Sequence, residues 1–382
     1  MILNRRGLLT ALALAPAAAG ASRPAFARQA DPAAALLTEV FAAAGPVALA
    51  AAVVGREGVI WSGARGLRRA GQADPVGPGD RWHLGSNTKA MTAAVFARLV
   101  EQGRARWAMP LAEAFPDLTV DPAWAGATID DFMRHRAGLV DAAVMGPAWL
   151  MSARADPRTL PEQRKAIVAA ALAAPRPGTP GQFAYGNANY VLVGAAIERI
   201  AGAAWEEVLR AELFAPLGME SAGFGPPLAA DGSADNAWGH RDVGGQKVAM
   251  APDHPGADNP KALGPAGTAH MGLDDYGRFL AAMMGARPDW LGADSLRRLT
   301  TPPPDLSPPA YACGWGVRQQ PWGGVSGPGP VLGHDGSNTM WHCSAMVAPE
   351  RGLALVAVSN EGAAGRAACQ TLLQRLVPIA TA

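Results

Sequence analysis

The chain has 382 residues, with 33 Lys and Arg against 32 Asp and Glu, so its formal net charge at pH 7 is only +1. This balance gives no sign of a nucleic-acid-binding surface or of an anionic-membrane partner. The length allows one large domain or two. The 45 Gly and 33 Pro are spread through the chain and indicate many turns in a globular protein rather than a collagen-like or disordered one.

The first 27 residues have the pattern of a twin-arginine export signal peptide. Arg5 and Arg6 precede a short apolar run, residues 8–19, and Ala25-Phe26-Ala27 is a small-x-small cleavage site. An uncleaved membrane anchor is the alternative, although the apolar run is short for a bilayer span. We therefore expect cleavage near Ala27 and a periplasmic or secreted protein whose mature chain does not insert stably into a membrane.

Hydrophobic periodicity and turn residues predict alternating blocks of strands and helices. In the N-terminal block we predict a helix at 33–44, strands at 47–54 and 58–66, and a buried helix at 90–100. In the middle we predict helices at 129–136, 161–174, 189–201, 205–213 and 274–284, with a long loop at 231–267. In the C-terminal block we predict strands at 313–318, 340–347 and 353–358 and a closing helix at 365–377.

This order of elements predicts an α/β (α+β) fold. An antiparallel sheet built from both chain ends, about residues 31–103 and 311–380, would be flanked by helices and interrupted by a mostly helical insertion at about 104–310. Residues 28–382 would then form a single domain, with the site in the cleft between the sheet and the insertion.

The first candidate for chemistry is Ser86-Asn87-Thr88-Lys89, which leads into the apolar helical pattern of residues 90–100. Residues three apart share one helical face, so the Ser86 hydroxyl and the Lys89 amine can meet. A buried lysine can lose its charge and accept the serine proton, and N–H groups at a helix start suit a developing oxyanion. The alternative interpretation is that Ser86 caps a core helix and Lys89 is a solvated side chain.

The second candidate is Tyr185-Gly186-Asn187, which follows a turn-rich stretch and precedes a predicted helix. The Tyr185 hydroxyl can relay a proton if nearby cations lower its pKa. The Asn187 amide can hold a substrate carbonyl or orient the lysine. The alternative interpretation is a packed tyrosine followed by an asparagine helix cap.

The third candidate is the stretch from Gly333 to Asn338, just before two predicted strands. Gly336 would allow a substrate to approach the backbone closely, and the N–H of Ser337 could complete an oxyanion hole with that of Ser86. His334 and Asp335 point to opposite faces of an extended segment, so Asp335 is predicted to be structural rather than a partner of His334. An ordinary tight turn between strands is the alternative interpretation.

Cysteine and histidine spacing predicts neither a disulfide framework nor a metal site. Cys313, Cys343 and Cys369 are odd in number and are interpreted as small buried residues, with a Cys343–Cys369 bridge left open. The histidines at 240, 254 and 270 are too widely spaced for a local zinc motif. We therefore predict neither a metal nor a cofactor.

The three candidate stretches resemble, in their order, the three motifs of the serine β-lactamase and penicillin-binding-protein superfamily: Ser86-x-x-Lys89, Tyr185-x-Asn187 and His334-x-Gly336. The Tyr-x-Asn form is similar to the class C branch, which includes class C β-lactamases, DD-peptidases, D-amino-acid-specific peptidases and family VIII-type esterases. The resemblance extends over about residues 35–378, so it covers the whole predicted mature chain.

The resemblance implies a role for each of these residues. Ser86 would attack a carbonyl and become acylated, while Lys89 and Tyr185 would activate first Ser86 and then the deacylating water. Asn187 would hold the site, and the N–H groups of Ser86 and Ser337 would bind the oxyanion. No Glu-x-x-Leu-Asn sequence occurs, so the deacylating glutamate of class A enzymes is not supported.

One departure from the family pattern bears on the substrate. β-Lactamases of this branch usually carry Lys-Thr-Gly where this chain has His334-Asp335-Gly336, and a histidine is only partly charged at neutral pH. We therefore predict a serine hydrolase that cleaves a small ester or a D-amino-acid peptide in preference to a β-lactam. The alternatives are a class C-like β-lactamase, a non-catalytic binding protein that retains the cleft, and a metal hydrolase.

Overall fold

The computed structural model describes residues 31–77, 79–228, 236–304 and 307–382. The predicted signal peptide, residues 1–27, lies outside the described residues. The α-helices are α1 Pro32–Ala44, α2 Thr88–Glu101, α3 Leu111–Ala114, α4 Ile129–Met133, α5 Pro147–Ser152, α6 Leu160–Ala173, α7 Asn187–Ala201, α8 Trp205–Leu209, α9 Ala215–Leu217, α10 Gly264–Gly267, α11 Leu273–Met283, α12 Ala293–Thr300 and α13 Ala363–Ala380. The strands are β1 Ala48–Gly55, β2 Gly58–Gly66, β3 Trp82–His83, β4 Gly223–Phe224, β5 Gly239–Val243, β6 Gln246–Met250, β7 Ala269–Met271, β8 Gly316–Gln320, β9 Gly329–Ser337, β10 His342–Ala348 and β11 Leu353–Ser359.

The main sheet joins the two ends of the chain. Its strand order is β2-β1-β11-β10-β9-β8, and each neighbouring pair is antiparallel. The N-terminal strand β1 lies in the middle of this sheet because it pairs with β11 from the C-terminal block, with Ala51 opposite Ala357. The predicted antiparallel sheet from both chain ends is therefore confirmed.

Helices cover both faces of the main sheet. Every residue of β1 and β11 is buried, as expected for strands whose two faces are both packed. On one face, Leu37 of α1 and Leu372 of α13 pack in a cluster with alternate residues of β1 and β11. On the other face a larger core joins the sheet to α2, α7 and α11.

Helix α2 lies in this larger core and is buried over most of its length. Its sequence from Ala90 to Leu99 contains four Ala, one Met and one Leu, which favour helix formation, and its apolar side chains pack on several sides. A short 3₁₀ turn, Gly85–Asn87, precedes α2, and the Thr88 hydroxyl donates to the Gly85 carbonyl at 2.7 Å. Burial of α2 therefore holds this turn beside the main sheet.

The Gly85–Asn87 turn touches the end of β9 backbone to backbone. Gly85 has a φ of +52°, and a Cβ atom there would stand 2.3 Å from the backbone nitrogen of Ser337. A Cβ atom at Gly336 would stand only 2.0 Å from the carbonyl oxygen of Leu84. Both positions therefore require glycine, and the two glycines bring the backbones of Ser86 and Ser337 together.

Several sequence-predicted boundaries are wrong. The loop predicted at 231–267 contains the β5–β6 hairpin, which turns at Gly244 and Gly245 with φ values of +60° and +83°. The β5 and β6 strands are short and charged, so the alternation of apolar residues that marks a strand is weak.

The strand predicted at 313–318 lies at 316–320 instead, and helix α12 was not predicted. The helix predicted at 129–136 ends at Met133 because His135 adopts a φ of +58°.

Three further observations concern the sequence predictions about disulfides, metal sites and membrane spans. Cys313, Cys343 and Cys369 are buried and free, so the Cys343–Cys369 bridge that the sequence left open is not formed. In the part of the chain that the structure describes, no three His, Cys, Asp or Glu side chains group closely enough to hold a metal ion. Within those same residues, no helix has both the length and the apolar character of a membrane span.

The close backbone contact predicts that Gly336→Ala destabilises the protein by about 1–3 kcal/mol or more, because the new methyl group must displace backbone atoms. Gly333→Ala is the matched control in the same strand. A Cβ atom at Gly333 meets its nearest atom, the Ala345 carbonyl oxygen, at 3.7 Å, an ordinary contact. We expect this variant to stay within about 0.5 kcal/mol of wild type. Urea unfolding of both variants tests the contact, and equal midpoints would contradict it.

Candidate active site

The structure brings the first candidate pair together. Ser86 lies in the 3₁₀ turn and Lys89 in the first turn of α2, and the Lys89 Nζ–Ser86 Oγ distance is 3.0 Å. Lys89 is 0% exposed, so the interpretation of a solvated lysine is wrong. Nζ also donates to Asn187 Oδ1 and to the Ala266 carbonyl oxygen, each at 2.8 Å. These three acceptors satisfy all three N–H groups of a protonated lysine.

Burial lowers the pKa of Lys89 to about 7, and the negative charge of Asp141 opposes this shift. Near neutral pH a substantial fraction of the amine is therefore uncharged and has a lone pair. The Asn187 and Ala266 oxygens can only accept hydrogen bonds, whereas the Ser86 hydroxyl can also donate. The lone pair of the neutral amine must then face the Ser86 proton, which is the arrangement of a general base beside its nucleophile.

Asp141 is a part of this site that the sequence did not identify. Its Oδ1 accepts from the Ala188 N–H at 2.8 Å, and its Oδ2 accepts from Asn187 Nδ2 at 3.3 Å. This second bond points the carbonyl end of the Asn187 amide toward Lys89. Asp141 lies in the 139–160 segment, where the sequence shows no periodicity or motif that could have marked it.

Tyr185 also reaches the site, but its pKa differs from the expectation. The Lys89 Nζ stands 4.9 Å from the centre of its ring. Burial raises the pKa of the Tyr185 hydroxyl to about 12, and a hydrogen bond with Ser86 opposes this shift. The sequence analysis considered a pKa lowered by nearby cations, and the shift in the structure is in the opposite direction. Tyr185 is thus a neutral phenol that can donate a hydrogen bond.

Tyr185 packs against a cluster of aromatic rings that includes His135 and Tyr311. The His135 ring centre lies 4.5 Å from that of Tyr185 and 5.0 Å from that of Tyr311. Burial lowers the pKa of His135 well below its usual value, and Lys89 and His334 lower it further when they are protonated. The ring is therefore neutral and packs as an aromatic side chain, a role that no sequence pattern indicated.

His334 lies next to Tyr185, with ring centres 6.0 Å apart, but it carries no charge at neutral pH. Burial lowers the pKa of His334 to about 4, and the charge of Lys89 lowers it as well. Its Nδ1–H donates to the Asp335 carbonyl oxygen at 2.7 Å, and Nε2 accepts from the Tyr311 hydroxyl at 3.1 Å. His334 therefore cannot supply the positive charge that a lysine would supply at this place.

Asp335 points away from His334, as its position on an extended strand predicts. Its Oδ1 accepts from the Ser344 hydroxyl at 2.5 Å, and its Oδ2 accepts from Gln370 Nε2 at 2.8 Å. The Asp335 carboxylate thus ties β9 to β10 and to α13, which is a structural role. Its backbone, rather than its side chain, contacts the ring of His334.

A small cavity of about 120 Å³ opens beside Ser86. Its lining residues are neutral: Ser86, Asn187, Asn259, Leu263, Ala266, Gly267, Ser337, Asn338 and Thr339. The candidate residues Ser86, Asn187 and Ser337 therefore meet at one cavity, which Lys89, Tyr185, His334 and Gly336 do not line. Gly336 acts instead at the backbone contact that brings Ser337 beside Ser86.

Comparison with known proteins gives consistent results. The family model described as Beta-lactamase matches residues 33–376. An unguisins hydrolase of Aspergillus campestris is 25% identical over an alignment of 332 residues that covers 83% of this chain and 59% of that protein. This chain thus spans less than two thirds of the length of that relative.

Two solved structures share the fold. The octameric penicillin-binding protein homologue from Pyrococcus abyssi has a TM-score of 0.72 at 20% identity, covering 91% of this chain and 77% of that one. The D-amino acid amidase from Ochrobactrum anthropi has a TM-score of 0.70 at 20% identity, and the match covers 91% of this chain and 96% of that one.

The family match includes both blocks of the main sheet, the helical insertion and each of the three motif stretches. It covers far more than half of the chain, so it identifies the family without help from the short motifs. The similarity of the solved structures to this chain is independent support for the fold. The chain belongs to the Beta-lactamase family.

Proposed function

We propose that this protein is an exported hydrolase that cleaves an ester or amide bond through an acyl-enzyme intermediate on Ser86. The observation that carries the proposal is the 3.0 Å contact between Ser86 Oγ and the buried amine of Lys89, whose pKa is about 7. A serine hydroxyl becomes nucleophilic when a base within hydrogen-bond reach takes its proton. Lys89 meets that requirement in both distance and pKa.

In acylation, Ser86 Oγ attacks the substrate carbonyl carbon while its proton passes to Lys89 Nζ. The carbonyl oxygen becomes negative and is held by the backbone N–H groups of Ser86 and Ser337. As the intermediate collapses, the bond to the leaving group breaks, and the Tyr185 hydroxyl gives that group a proton and regains one from Lys89. In deacylation, a water molecule attacks the acyl carbon while Lys89 Nζ takes a proton from it. The bond between that carbon and Ser86 Oγ then breaks, Lys89 returns the proton to Oγ, and the acid product leaves.

The proposed substrate is either a small ester or a peptide or amide of a D-amino acid. An uncharged His334 and a neutral cavity lining offer no cation for the carboxylate of a β-lactam. The fold similarity to a D-amino acid amidase and the sequence similarity to an unguisins hydrolase support an amide or peptide substrate. No observation of the site favours a β-lactamase or a non-catalytic binding protein.

Export is proposed from the sequence of residues 1–27 alone, since these lie outside the described residues. Its support is the order of the twin arginines, the short apolar run and the Ala25-Phe26-Ala27 site. The twin-arginine route carries folded proteins, which fits a chain that needs both ends to complete one sheet. The mature protein would act in the periplasm or outside the cell.

The role of Ser86 can be tested by labelling with a fluorophosphonate. We expect one label per chain, located on Ser86 by peptide mass spectrometry. Ser86→Ala should abolish the label and lower ester hydrolysis by at least about 10³-fold, because the nucleophile is lost. Ser62→Ala removes an exposed serine on β2 and serves as the control, which should keep both the label on Ser86 and the rate of ester hydrolysis. A label on another residue, or undiminished turnover by Ser86→Ala, would contradict the proposal.

The substrate class can be tested with one panel of p-nitrophenyl esters, D-alanyl peptides and a chromogenic cephalosporin. We expect kcat/KM for the best ester or D-alanyl substrate to exceed that for the cephalosporin by at least about tenfold, since one missing favourable ion pair costs about that much. A preference for the cephalosporin would assign the protein as a β-lactamase. Acylation without turnover of any substrate would favour the binding-protein alternative.

The low pKa of Lys89 predicts the pH dependence. Below pH 7 the amine is protonated and cannot act as a base, so kcat/KM for a neutral ester should rise with pH and reach half its plateau near pH 7. Asp141→Asn removes the charge that raises the pKa of Lys89, so the midpoint should move to lower pH. The plateau should also fall, because the Asn187 amide loses its acceptor.

Asp253→Asn is the charge control for this experiment, since Asp253 is an exposed carboxylate. Its midpoint should remain at that of wild type. A midpoint in Asp141→Asn that does not move, or moves to higher pH, would show that Lys89 is not the titrating base.

A further inference from the structure

Asp258 connects two segments of the candidate site that are far apart in the sequence. It lies in the loop between β6 and α10 and is only 7% exposed. Its Oδ2 accepts from the His83 ring at Nε2 at 2.9 Å, and its Oδ1 accepts from Asn338 Nδ2 at 2.8 Å. His83 is the last residue of β3, and Asn338 directly follows β9.

The His83 bond fixes the backbone just before Ser86. The Gly85 N–H donates to His83 Nδ1 at 3.2 Å, so Nδ1 must carry a lone pair. The ring proton then sits on Nε2 and points to Asp258, which is the tautomer that the carboxylate requires. Asp258 therefore holds the Gly85 N–H in place through His83.

The Asn338 bond fixes the backbone just after Ser337. Asn338 is 4% exposed, and its Oδ1 accepts from the Met340 N–H at 3.2 Å and from the Trp341 N–H at 3.1 Å. The amide oxygen of Asn338 thus accepts from the backbone of the turn, and its NH₂ group donates to Asp258. Asp258 therefore also holds the turn that follows the second proposed oxyanion donor.

We infer that Asp258 is a positioning residue for the oxyanion hole, because its two carboxylate oxygens hold the segments that carry the N–H groups of Ser86 and Ser337. The inference rests on the proposed function. Oxyanion donors accelerate a reaction only when they are fixed before the charge develops. Backbone packing at Gly85 and Gly336 brings the two segments together. The carboxylate of Asp258 adds a hydrogen-bonded link between His83 and Asn338, which flank the two donors.

The test is Asp258→Asn, which keeps the shape but replaces one acceptor oxygen by an NH₂ group. The new amide can accept from only one of the donors of His83 and Asn338 and must oppose the other. We expect kcat/KM for a p-nitrophenyl ester to fall by about tenfold or more, below the 10²–10³-fold effect of removing an oxyanion donor outright. The inhibition constant of phenylboronic acid, which forms a tetrahedral adduct with serine, should rise by a similar factor.

The pH midpoint of the reaction should stay at that of wild type, because Asp258 is not among the charges that shift the pKa of Lys89. Asp253→Asn makes the same chemical change at an exposed position of the same loop and should alter none of these quantities. These two controls separate an effect on the oxyanion hole from an effect on the base or on net charge.

The double variant Asp258→Asn with Asn338→Asp should recover most of the lost activity. The new amide then donates to the new carboxylate and still accepts from His83, while the new carboxylate still accepts from the Met340 and Trp341 N–H groups. Only the contact between the Asn259 N–H and Asp258 Oδ1, 2.7 Å in length, is not restored. A purely local packing role for Asp258 would not predict recovery of boronic acid affinity by this exchange.

A wild-type protein that neither hydrolyses esters nor binds the boronic acid would overturn the proposed function itself. Active wild type, with Asp258→Asn within twofold of it in both kcat/KM and boronic acid affinity, would overturn only the role of Asp258. If Asp258→Asn does not fold, Asn338→Ser cuts the link on the Ser337 side alone, and the same two measurements decide. A change in melting temperature without a change in either measurement would also count against the inference.

Discussion

The buried amine of Lys89 contacts three hydrogen-bond acceptors from three parts of the chain: Ser86, Asn187 and Ala266. Moving an ammonium group out of water costs several kcal/mol, and complete hydrogen bonding offsets only part of that cost. The remaining penalty appears as the lowered pKa of Lys89. These three hydrogen bonds form only if the turn that carries Ser86, the start of α7 and helix α10 all keep their positions.

The main sheet supplies that precision. Strand β1 from the N-terminal block pairs with β11 from the C-terminal block, so the fold cannot be completed until both ends are present. Strand β9 lies two positions beyond β11 in the sheet and delivers Ser337 to the turn that carries Ser86. Sites built on strands and helices keep a tighter geometry than sites built on loops, because packing fixes their backbones.

The sequence predicted those parts of the site that depend on local spacing. Ser86 and Lys89 are three residues apart where a 3₁₀ turn runs into α2, so their contact follows from helical spacing. Asp258 could not be predicted in the same way. Its contact with His83 spans 175 residues of sequence, and its loop carries no periodic pattern.

The pKa values were less predictable than the positions, because they depend on how much water each group loses. The sequence indicates that a lysine, a tyrosine and a histidine converge, but it gives no measure of their burial. In the structure burial acts in opposite directions on Lys89 and Tyr185: it lowers the pKa of the amine and raises that of the phenol. Near pH 7 the amine is thus suited to accept a proton and the phenol to donate one.

Asp141 shows how two requirements of the site are met by one side chain. An amide group could present either its oxygen or its nitrogen to Lys89, and a nitrogen there would oppose the lysine N–H groups. The carboxylate of Asp141 accepts from Asn187 Nδ2 and so selects the orientation in which the oxygen faces Lys89.

The negative charge of Asp141 also raises the pKa of Lys89 and so limits the effect of burial. Without that charge the amine would be uncharged over a wider pH range, but it would also be a weaker base, since basicity falls with pKa. A pKa of about 7 for Lys89 is therefore a balance between burial and the charge of Asp141, and it suits the proposed role of the amine as a base near neutral pH.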